Sequence, residues 1–274
     1  MTDAGRAVEG SPVAPAGQGP EPRASSTWNV VVTGGGTVAA IDEVRQIANR
    51  STGRMAASIA EACLGRGASV WHVAAPGSQL AFERRAQLDL DAADPAVEFR
   101  RLERLRAEWL AVRDRYHPVR LKRGTVDDYA RRLEETLKER PVDIVFLAMA
   151  VSDFEPEPAE GKIRSEADSL VIRCRPTAKV IRKVRDWAPD AYIVGFKLLA
   201  GATTAELVEE ARRALVVNRA DLTVANDQRT VTEGRHTIHL VREGGPVETY
   251  AMPEPIAERL VERSLEWSAK RKRG

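Results

Sequence analysis

Two neighbouring glycine-containing turns supply the residue types that could bind a polyphosphate. The first, residues 34–36, ends an apolar β-branched run at residues 29–33 that is typical of a buried strand. Glycines adopt positive φ and let backbone N–H groups approach an anion closely. The second turn, residues 49–54, contains a serine, a threonine and a glycine and leads directly into a helix. The unpaired N–H groups and the dipole of a helix N-terminus favour negative charge.

Each turn alone has a simpler interpretation, as a tight turn or a helix cap. The two together, with Arg45, Arg50 and Arg54 around them, favour anion binding. Residues 34–39 also fit a dinucleotide-binding pattern. The acidic residue that this pattern requires is missing, because the next apolar run, residues 70–73, is followed by Ala-Ala-Pro. The sequence has no Gly-Lys-Ser/Thr phosphate loop either.

Apolar runs alternate with helical periodicities along the rest of the chain. The continuously apolar run at residues 143–151 is typical of a central parallel strand. Further strands are predicted at residues 69–74, 120–122, 170–174, 192–196 and 221–225. Strands that alternate with helices predict an α/β fold, a Rossmann-like and mostly parallel sheet with helices on both faces. Residues 237–241 and 247–251 predict a C-terminal β-hairpin.

Helical spacing of apolar residues predicts the elements that cover this sheet. Helices are predicted after the second turn, across residues 99–112, after Thr125, at residues 176–187 and 204–217, and onward from Pro255. The helix at residues 99–112, with Phe99 among its apolar positions, belongs to a charged insertion at about residues 77–120 and should pack on the outside of the domain. Thr125 and Asp128 should cap the helix that follows.

Length and composition are those of one large α/β domain. We predict this domain at residues 27–268, after a disordered Pro/Gly-rich tail at residues 1–26 and before a basic tail at residues 269–274. The net charge of +2 indicates no nucleic-acid or membrane partner. Cys63 and Cys174 lie in apolar segments and are expected in the core, which suits a reducing cytoplasm. The four histidines lack metal-ligand spacing, so no protein-bound metal is predicted.

The carboxyl ends of the predicted strands would gather polar residues at one edge of the sheet. These are residues 34–37, 152–153, 195–197 and 226–227. Lys162 and Arg164 follow on a loop that could close over them. This set of residues combines backbone anion sites, cations, one carboxylate and amides. Such groups can position polyphosphates, but the residues include no nucleophilic triad. It therefore fits a phosphate-activating ligase or transferase better than a hydrolase.

Six motifs, in order and spacing, resemble the phosphopantothenate–cysteine ligase family, also called phosphopantothenoylcysteine synthetase. They are residues 34–37, residues 44–45 with 49–54, residues 148–154, 162–163, 195–198 and 225–226. The resemblance covers about residues 28–267. It implies a Rossmann-like homodimer that uses ATP or CTP with Mg²⁺. The carboxylate of 4'-phosphopantothenate would attack the α-phosphate and release pyrophosphate. The amine of L-cysteine would then displace the nucleotide.

The resemblance also assigns residues to the nucleotide. Gly35, Ser51 and Gly53 would hold its phosphates, and Phe196 and Asn226 would lie at its base and ribose. Four features look more like the eukaryotic branch of the family. They are the stand-alone form, the insertion at about residues 77–120, and the motif variants at residues 152–154 and 196–198. That branch uses ATP, so ATP is favoured over CTP.

Other residues are assigned by resemblance to 4'-phosphopantothenate and the reaction. Asn49, Ala150 and Asp153 would contact this substrate, and Asn49 would also stabilise the acyl-nucleotide intermediate. Arg45 would reach the substrate in its own or the partner subunit's site. Lys162 would offset negative charge in both steps.

Two positions depart from the family pattern, and two other functions remain open. Ala56 stands where the family has glycine, and Met149 stands where it has alanine, which adds bulk near the expected ligands. A nicotinamide-dependent reductase would use residues 34–39 for its cofactor. A non-catalytic relative would bind a nucleotide without turnover.

Overall fold

The computed structural model describes residues 27–164, 169–231 and 235–273. The predicted tail at residues 1–26 lies outside the described residues. The strands are β1 (Asn29–Gly34), β2 (Val38–Ala40), β3 (Gln46–Ala48), β4 (Ser69–Ala74), β5 (Tyr116–Arg120), β6 (Ile144–Leu147), β7 (Phe154–Pro156), β8 (Cys174–Pro176), β9 (Tyr192–Leu199), β10 (Leu222–Asp227), β11 (Thr237–Val241) and β12 (Glu248–Ala251). The α-helices are α1 (Arg54–Gly65), α2 (Pro95–Val112), α3 (Val126–Lys138), α4 (Ile181–Trp187), α5 (Thr204–Val217) and α6 (Ile256–Arg271).

Eight strands form the central sheet, in the order β12-β11-β10-β9-β6-β1-β4-β5. The six strands from β10 to β5 in this order run parallel. β11 and β12 are added antiparallel at the β10 edge. All four residues of β6 are buried, because helices cover both faces of the sheet at its centre. The predicted Rossmann-like, mostly parallel sheet with a C-terminal hairpin is confirmed.

The alternation of side chains along each strand divides the core into two main clusters. Val32 of β1 packs in one cluster with Ile59 of α1 and Leu260 of α6. Val31, the preceding residue, packs in the other cluster with Leu133 of α3 and Val184 of α4. α1 and α6 therefore cover one face of the sheet, and α3 and α4 cover the other.

Helices with strong local signals occur where the sequence predicts them. The Thr125 hydroxyl accepts a hydrogen bond from the amide of Asp128 (3.2 Å) at the start of α3, as predicted. Thr203 and Glu206 form a reciprocal capping box at the start of α5. Each cap satisfies backbone donors that have no partner within the helix, which stabilises a helix by about 1 kcal/mol.

The bounds of two strands, the start of one helix and the burial of one cysteine are predicted wrongly. The strand predicted at residues 120–122 is β5 at Tyr116–Arg120, an edge strand that tolerates Pro118 because one of its sides has no strand partner. The strand predicted at residues 170–174 is β8 at Cys174–Pro176, which pairs with β7 outside the central sheet. This pairing holds Pro176 in a strand, so α4 begins only at Ile181. Cys174 is exposed on β8 rather than buried in the core.

The insertion forms α2, as predicted, but with a different apolar contact surface. Leu105 is buried, and Trp109 packs edge-on against Phe82 and Tyr116, with ring centroids 5.5 Å and 5.9 Å away. Phe99 is 58% exposed, so its predicted packing is wrong. Because Phe99 lies six residues before Leu105, its side chain points about 120° away from that of Leu105 around the helix.

At the C-terminus α6 continues to Arg271, so the predicted basic tail at residues 269–274 begins inside a helix. Across the described ranges, none of the helices is long and apolar enough to span a membrane.

Candidate functional site

The first glycine turn, directly after β1, is held in a conformation that requires glycine. Gly35 has φ of +94°, and a Cβ there would lie 2.7 Å from the Cβ of Ala75. A Cβ on Gly36 would lie 2.1 Å from the backbone oxygen of Asn49. The Asn49 backbone therefore packs directly on the first turn, and its amide donates to the carbonyl of Thr37 (3.0 Å).

The second turn ends in an open helix N-terminus. Gly53, with φ of +76°, is the residue before α1, and no side chain caps the helix. The first turn of α1 has no acidic residue. Ser51 and Thr52 accept only long hydrogen bonds, both 3.4 Å, from the amides of Gly53 and Arg54. The first amides of α1 are thus left available to an anion.

Ser78 lies against both turns and was missed by the sequence analysis. A Cβ on Gly35 or on Gly53 would lie 2.8 Å or 2.9 Å from the Cβ of Ser78. Its hydroxyl donates to the carbonyl of Ala75 (2.6 Å), and the amide of Gln79 donates to the carbonyl of Thr52 (2.9 Å). Both glycines thus pack directly against Ser78, but nothing local in the sequence identifies this position.

The segment after β6 joins the same edge through backbone hydrogen bonds. The amide of Ala150 donates to the carbonyl of Gly35 (2.8 Å), and the amide of Thr37 donates to the carbonyl of Ala150 (3.0 Å). The buried hydroxyl of Thr37 accepts a hydrogen bond from the amide of Ser152 (3.0 Å). Gly35, Asn49 and Ala150, which the sequence places far apart, are therefore brought together.

Asp153 follows on this segment and already has a cationic partner. Its carboxylate forms an ion pair with Lys179, a residue that the sequence analysis did not single out. Its carbonyl accepts a hydrogen bond from the amide of Thr177 (3.0 Å). Asp153 is exposed, so its side chain is open to a ligand at this edge.

A buried carboxylate, also missed, connects Arg45 to the Lys162 segment. The side chain of Asp42 is fully buried and forms an ion pair with Arg45 (2.5 Å). It also accepts a hydrogen bond from the amide of Ile163 (3.1 Å), next to the exposed Lys162. Burial alone would raise the pKa of Asp42, but hydrogen bonds from Val44, Ile163 and Arg45 lower this pKa to about 2.

Phe196 and Asn226 lie on β9 and β10, two and three strands from β1 at the same edge. Phe196 is half-buried against the core cluster beneath α1 and α6. The amide nitrogen of Asn226 lies 3.4 Å from Nε2 of His236, a further neighbour that sequence reasoning missed. Asp227 does not face this site, because it is buried and pairs with Arg229 (2.9 Å).

His72 is buried beneath the first turn, with its Nε2 3.2 Å from the position that a Cβ on Gly34 would take. Its Nδ1 lies 2.9 Å from the hydroxyl of Tyr116, which accepts a hydrogen bond from the amide of Ala81 (3.2 Å). Burial, with a smaller effect from Arg120, lowers the pKa of His72 to about 4. The imidazole is therefore neutral at physiological pH and adds no charge beneath the turn.

The two departures from the family pattern add their bulk to the core. Ala56 is 1% exposed, and its Cβ lies 2.3 Å from the position that a Cβ on Gly34 would take. Met149 is 7% exposed and packs in the cluster beneath α3 and α4. Both side chains therefore lie within the packed interior rather than on the open edge.

Residues 27–164, 169–231 and 235–273 contain no group of three or more His, Cys, Asp or Glu side chains that could hold a metal. The site they form is a set of backbone donors and cations around two turns. It can bind phosphates and stabilise negative charge that develops during a reaction.

The sequence also matches a known protein family. A sequence model described as "DNA/pantothenate metabolism flavoprotein C-terminal domain" matches residues 26–97 and 114–266. The chain belongs to this family. The unmatched gap, residues 98–113, falls almost entirely within α2.

Individual relatives agree with this assignment. Human phosphopantothenate–cysteine ligase is 31% identical over 223 residues, which cover 72% of this chain and 71% of that protein. The coenzyme A biosynthesis bifunctional protein CoaBC of Thermococcus kodakarensis is 30% identical over 221 residues, which cover 80% of this chain but 46% of that protein. The chain thus spans about half the length of such bifunctional relatives.

A solved structure shows the same fold. The DNA/pantothenate metabolism flavoprotein from Streptococcus pneumoniae aligns with a TM-score of 0.69 at 25% identity. The alignment covers 88% of this chain and 100% of that one.

The contact between Gly36 and Asn49 makes a direct prediction. Gly36→Ala places a methyl group 2.1 Å from a backbone oxygen, so the two turns must separate. Overpacking of this kind should lower the free energy of unfolding by about 1–3 kcal/mol and weaken nucleotide binding. Urea denaturation and calorimetric titration measure the two effects.

Gly65→Ala is the matched control, because nothing beyond its neighbouring residues and its own helix lies within 4 Å of the position that its Cβ would take. We expect this variant to keep nucleotide affinity and to be at least as stable as wild type, because alanine favours a helix more than glycine does. Wild-type affinity in Gly36→Ala would show that the close approach of the turns is not needed for binding.

Proposed function

We propose that this protein is a phosphopantothenate–cysteine ligase, which joins 4'-phosphopantothenate to L-cysteine at the expense of a nucleoside triphosphate. The observation that carries the proposal is the convergence of two glycine turns and an uncapped helix N-terminus with the Asn49 and Ala150 segments. Family membership and the name of the human relative support the same reaction.

In the first step the substrate carboxylate attacks the α-phosphorus of the nucleotide. The bond from this phosphorus to the bridging oxygen breaks, and pyrophosphate leaves. The product is a mixed anhydride, which is a far better electrophile than a carboxylate. Backbone N–H groups around Gly35, Ser51 and Gly53 would hold the phosphates, and the dipole of α1 would stabilise their charge.

In the second step the amine of L-cysteine attacks the carbonyl carbon of this anhydride. The amide bond forms, a nucleoside monophosphate leaves, and the amine loses a proton. Asn49 would stabilise the anionic acyl-nucleotide with a neutral amide, and Lys162 would offset its charge in both steps. Ala150, Asp153 and Arg45 would position 4'-phosphopantothenate.

The spacing of the strands supports one orientation of the nucleotide. At about 4.8 Å per strand, β9 and β10 lie about 10 Å and 14 Å from β1. A nucleoside triphosphate is long enough to reach from the turns after β1 to these strands. Its base would pack against Phe196, and the amide of Asn226 would bind the base or ribose.

The nucleotide would be ATP in preference to CTP, in keeping with the likeness to the eukaryotic branch. Mg²⁺ prefers oxygen ligands, usually substrate phosphates with water and one or two carboxylates. Since the described residues form no preformed metal cluster, Mg²⁺ would enter with the nucleotide. It would then neutralise phosphate charge.

The proposal also covers the oligomeric state, the domain organisation and the cellular location of the protein. The working unit would be a homodimer in the cytoplasm, in which Arg45 reaches substrate in its own or the partner subunit's site. Residues 27–268 would form one ligase domain, with the helical insertion at about residues 77–120 on its surface.

No observation favours the nicotinamide-dependent reductase. β4 ends at Ala74 and is followed by Ala75 and Pro76, where that class has an acidic residue for the ribose.

Replacement of the lysine on the loop after Asp153 tests the reaction chemistry. Lys162→Ala should lower the rate of pyrophosphate release by about 10²-fold or more, because it removes a cation from the developing charge. Folding should be unchanged, because the side chain is exposed. Lys138→Ala is the control, since Lys138 is exposed on α3 and pairs with Glu134. An active Lys162→Ala enzyme would remove this lysine from the mechanism.

The role of Asn49 can be tested on the second step alone. Asn49→Asp places a negative charge against an anionic intermediate, so it should slow cysteine condensation by about tenfold or more, which corresponds to about 1.4 kcal/mol. Single-turnover measurements, with cysteine added after the first step, isolate this rate. Asn49→Ser removes the amide without adding charge and should be less impaired. Normal condensation by Asn49→Asp would contradict the assignment.

A further inference from the structure

The Asp42 carboxylate is a buried charge that the proposed reaction does not use. It lies in the turn between β2 and β3, and its side chain is fully buried. A buried carboxylate is costly unless its oxygens are hydrogen-bonded or paired with a cation. The partners of Asp42 therefore show what the carboxylate holds in place.

One oxygen of Asp42 organises its own turn, and the other reaches a distant segment. Oδ1 accepts hydrogen bonds from the amides of Val44 (2.9 Å) and Arg45 (2.7 Å). Oδ2 accepts from the Arg45 guanidinium (2.5 Å) and from the amide of Ile163 (3.1 Å). The same guanidinium also donates to the carbonyl of Ile163 (3.3 Å). The carboxylate and the guanidinium thus both bind the residue that follows Lys162.

Backbone hydrogen bonds fix the other side of Lys162 to the same turn. The amide of Ala159 donates to the carbonyl of Ile41 (2.9 Å), and the amide of Glu43 donates to the carbonyl of Gly161 (3.4 Å). The backbone is therefore held before and after Lys162, while the lysine side chain remains exposed. The Asp42 carboxylate therefore connects the Arg45 guanidinium to the backbone next to Lys162.

We infer that Asp42 is a positioning residue for the ligase reaction, which fixes the Lys162 backbone relative to Arg45 so that both cations are presented to the reactants together. This inference rests on the proposed function. A carboxylate is needed because four donors converge on it, and its two oxygens can accept all four. The amide group of an asparagine would place an N–H against the Arg45 guanidinium and the amide of Ile163, donor against donor.

The test combines Asp42→Asn with Lys162→Ala in a double-mutant cycle, read as the rate of pyrophosphate release. If Asp42 acts through Lys162, Asp42→Asn should lower the rate by about 10²-fold in the wild-type background, because misplaced catalytic groups lose rates of this size. In the Lys162→Ala background it should have much less effect. Equal losses in both backgrounds would overturn the inference. Glu43→Gln, an exposed carboxylate on the same turn, is the control and should retain the wild-type rate.

Amide hydrogen exchange separates a failed inference from a failed function. Whatever the protein catalyses, the Ile163 amide should exchange faster in Asp42→Asn than in wild type or Glu43→Gln, because its acceptor is lost. Unchanged exchange at Ile163 would overturn the inference even in an active enzyme. If the wild-type protein releases no pyrophosphate but exchange at Ile163 is still faster in Asp42→Asn, the hydrogen bond from Asp42 exists and the ligase assignment is wrong.

Discussion

The candidate site depends on the close approach of two backbone segments at Gly36. The carbonyl of Asn49 occupies the space that any side chain at this position would need. This contact, with Ser78 packed against Gly35 and Gly53, brings the turn after β1 and the turn before α1 into one surface. The parallel sheet places both turns at one edge. Because these glycines have no side chains, the backbones of the two turns can approach each other closely there.

Charge around this surface is organised mainly by pairing. Asp42 holds Arg45, and Asp153 pairs with Lys179. His72 beneath the first turn is kept neutral by burial. The paired cations at this surface are therefore already oriented, and its backbone amides need little reorganisation to accept a hydrogen-bonded anion. Preorganisation of this kind strengthens the stabilisation of negative charge.

Local signals explain how much of the fold could be predicted from the sequence. Short stretches of sequence are enough to predict the apolar run of β6, the Thr125 cap of α3 and the C-terminal hairpin. The bounds of β5 and β8 were predicted wrongly because they depend on pairing with strands distant in sequence. The packing of Phe99 was predicted wrongly because it depends on which side of α2 contacts the domain. Residue types and spacing indicated the two glycine turns, and the order of the motifs indicated the role of Asn49. Ser78, Asp42, Lys179 and His236 were missed because their partners are distant in sequence or belong to no motif.

The most direct test of the ligase assignment is pyrophosphate release by the full chain with Mg²⁺, 4'-phosphopantothenate and L-cysteine, in parallel with ATP and with CTP. We expect release that depends on 4'-phosphopantothenate and is faster with ATP. Nucleotide binding by the folded protein, with no pyrophosphate released from either nucleotide, would contradict the ligase assignment and indicate a non-catalytic relative.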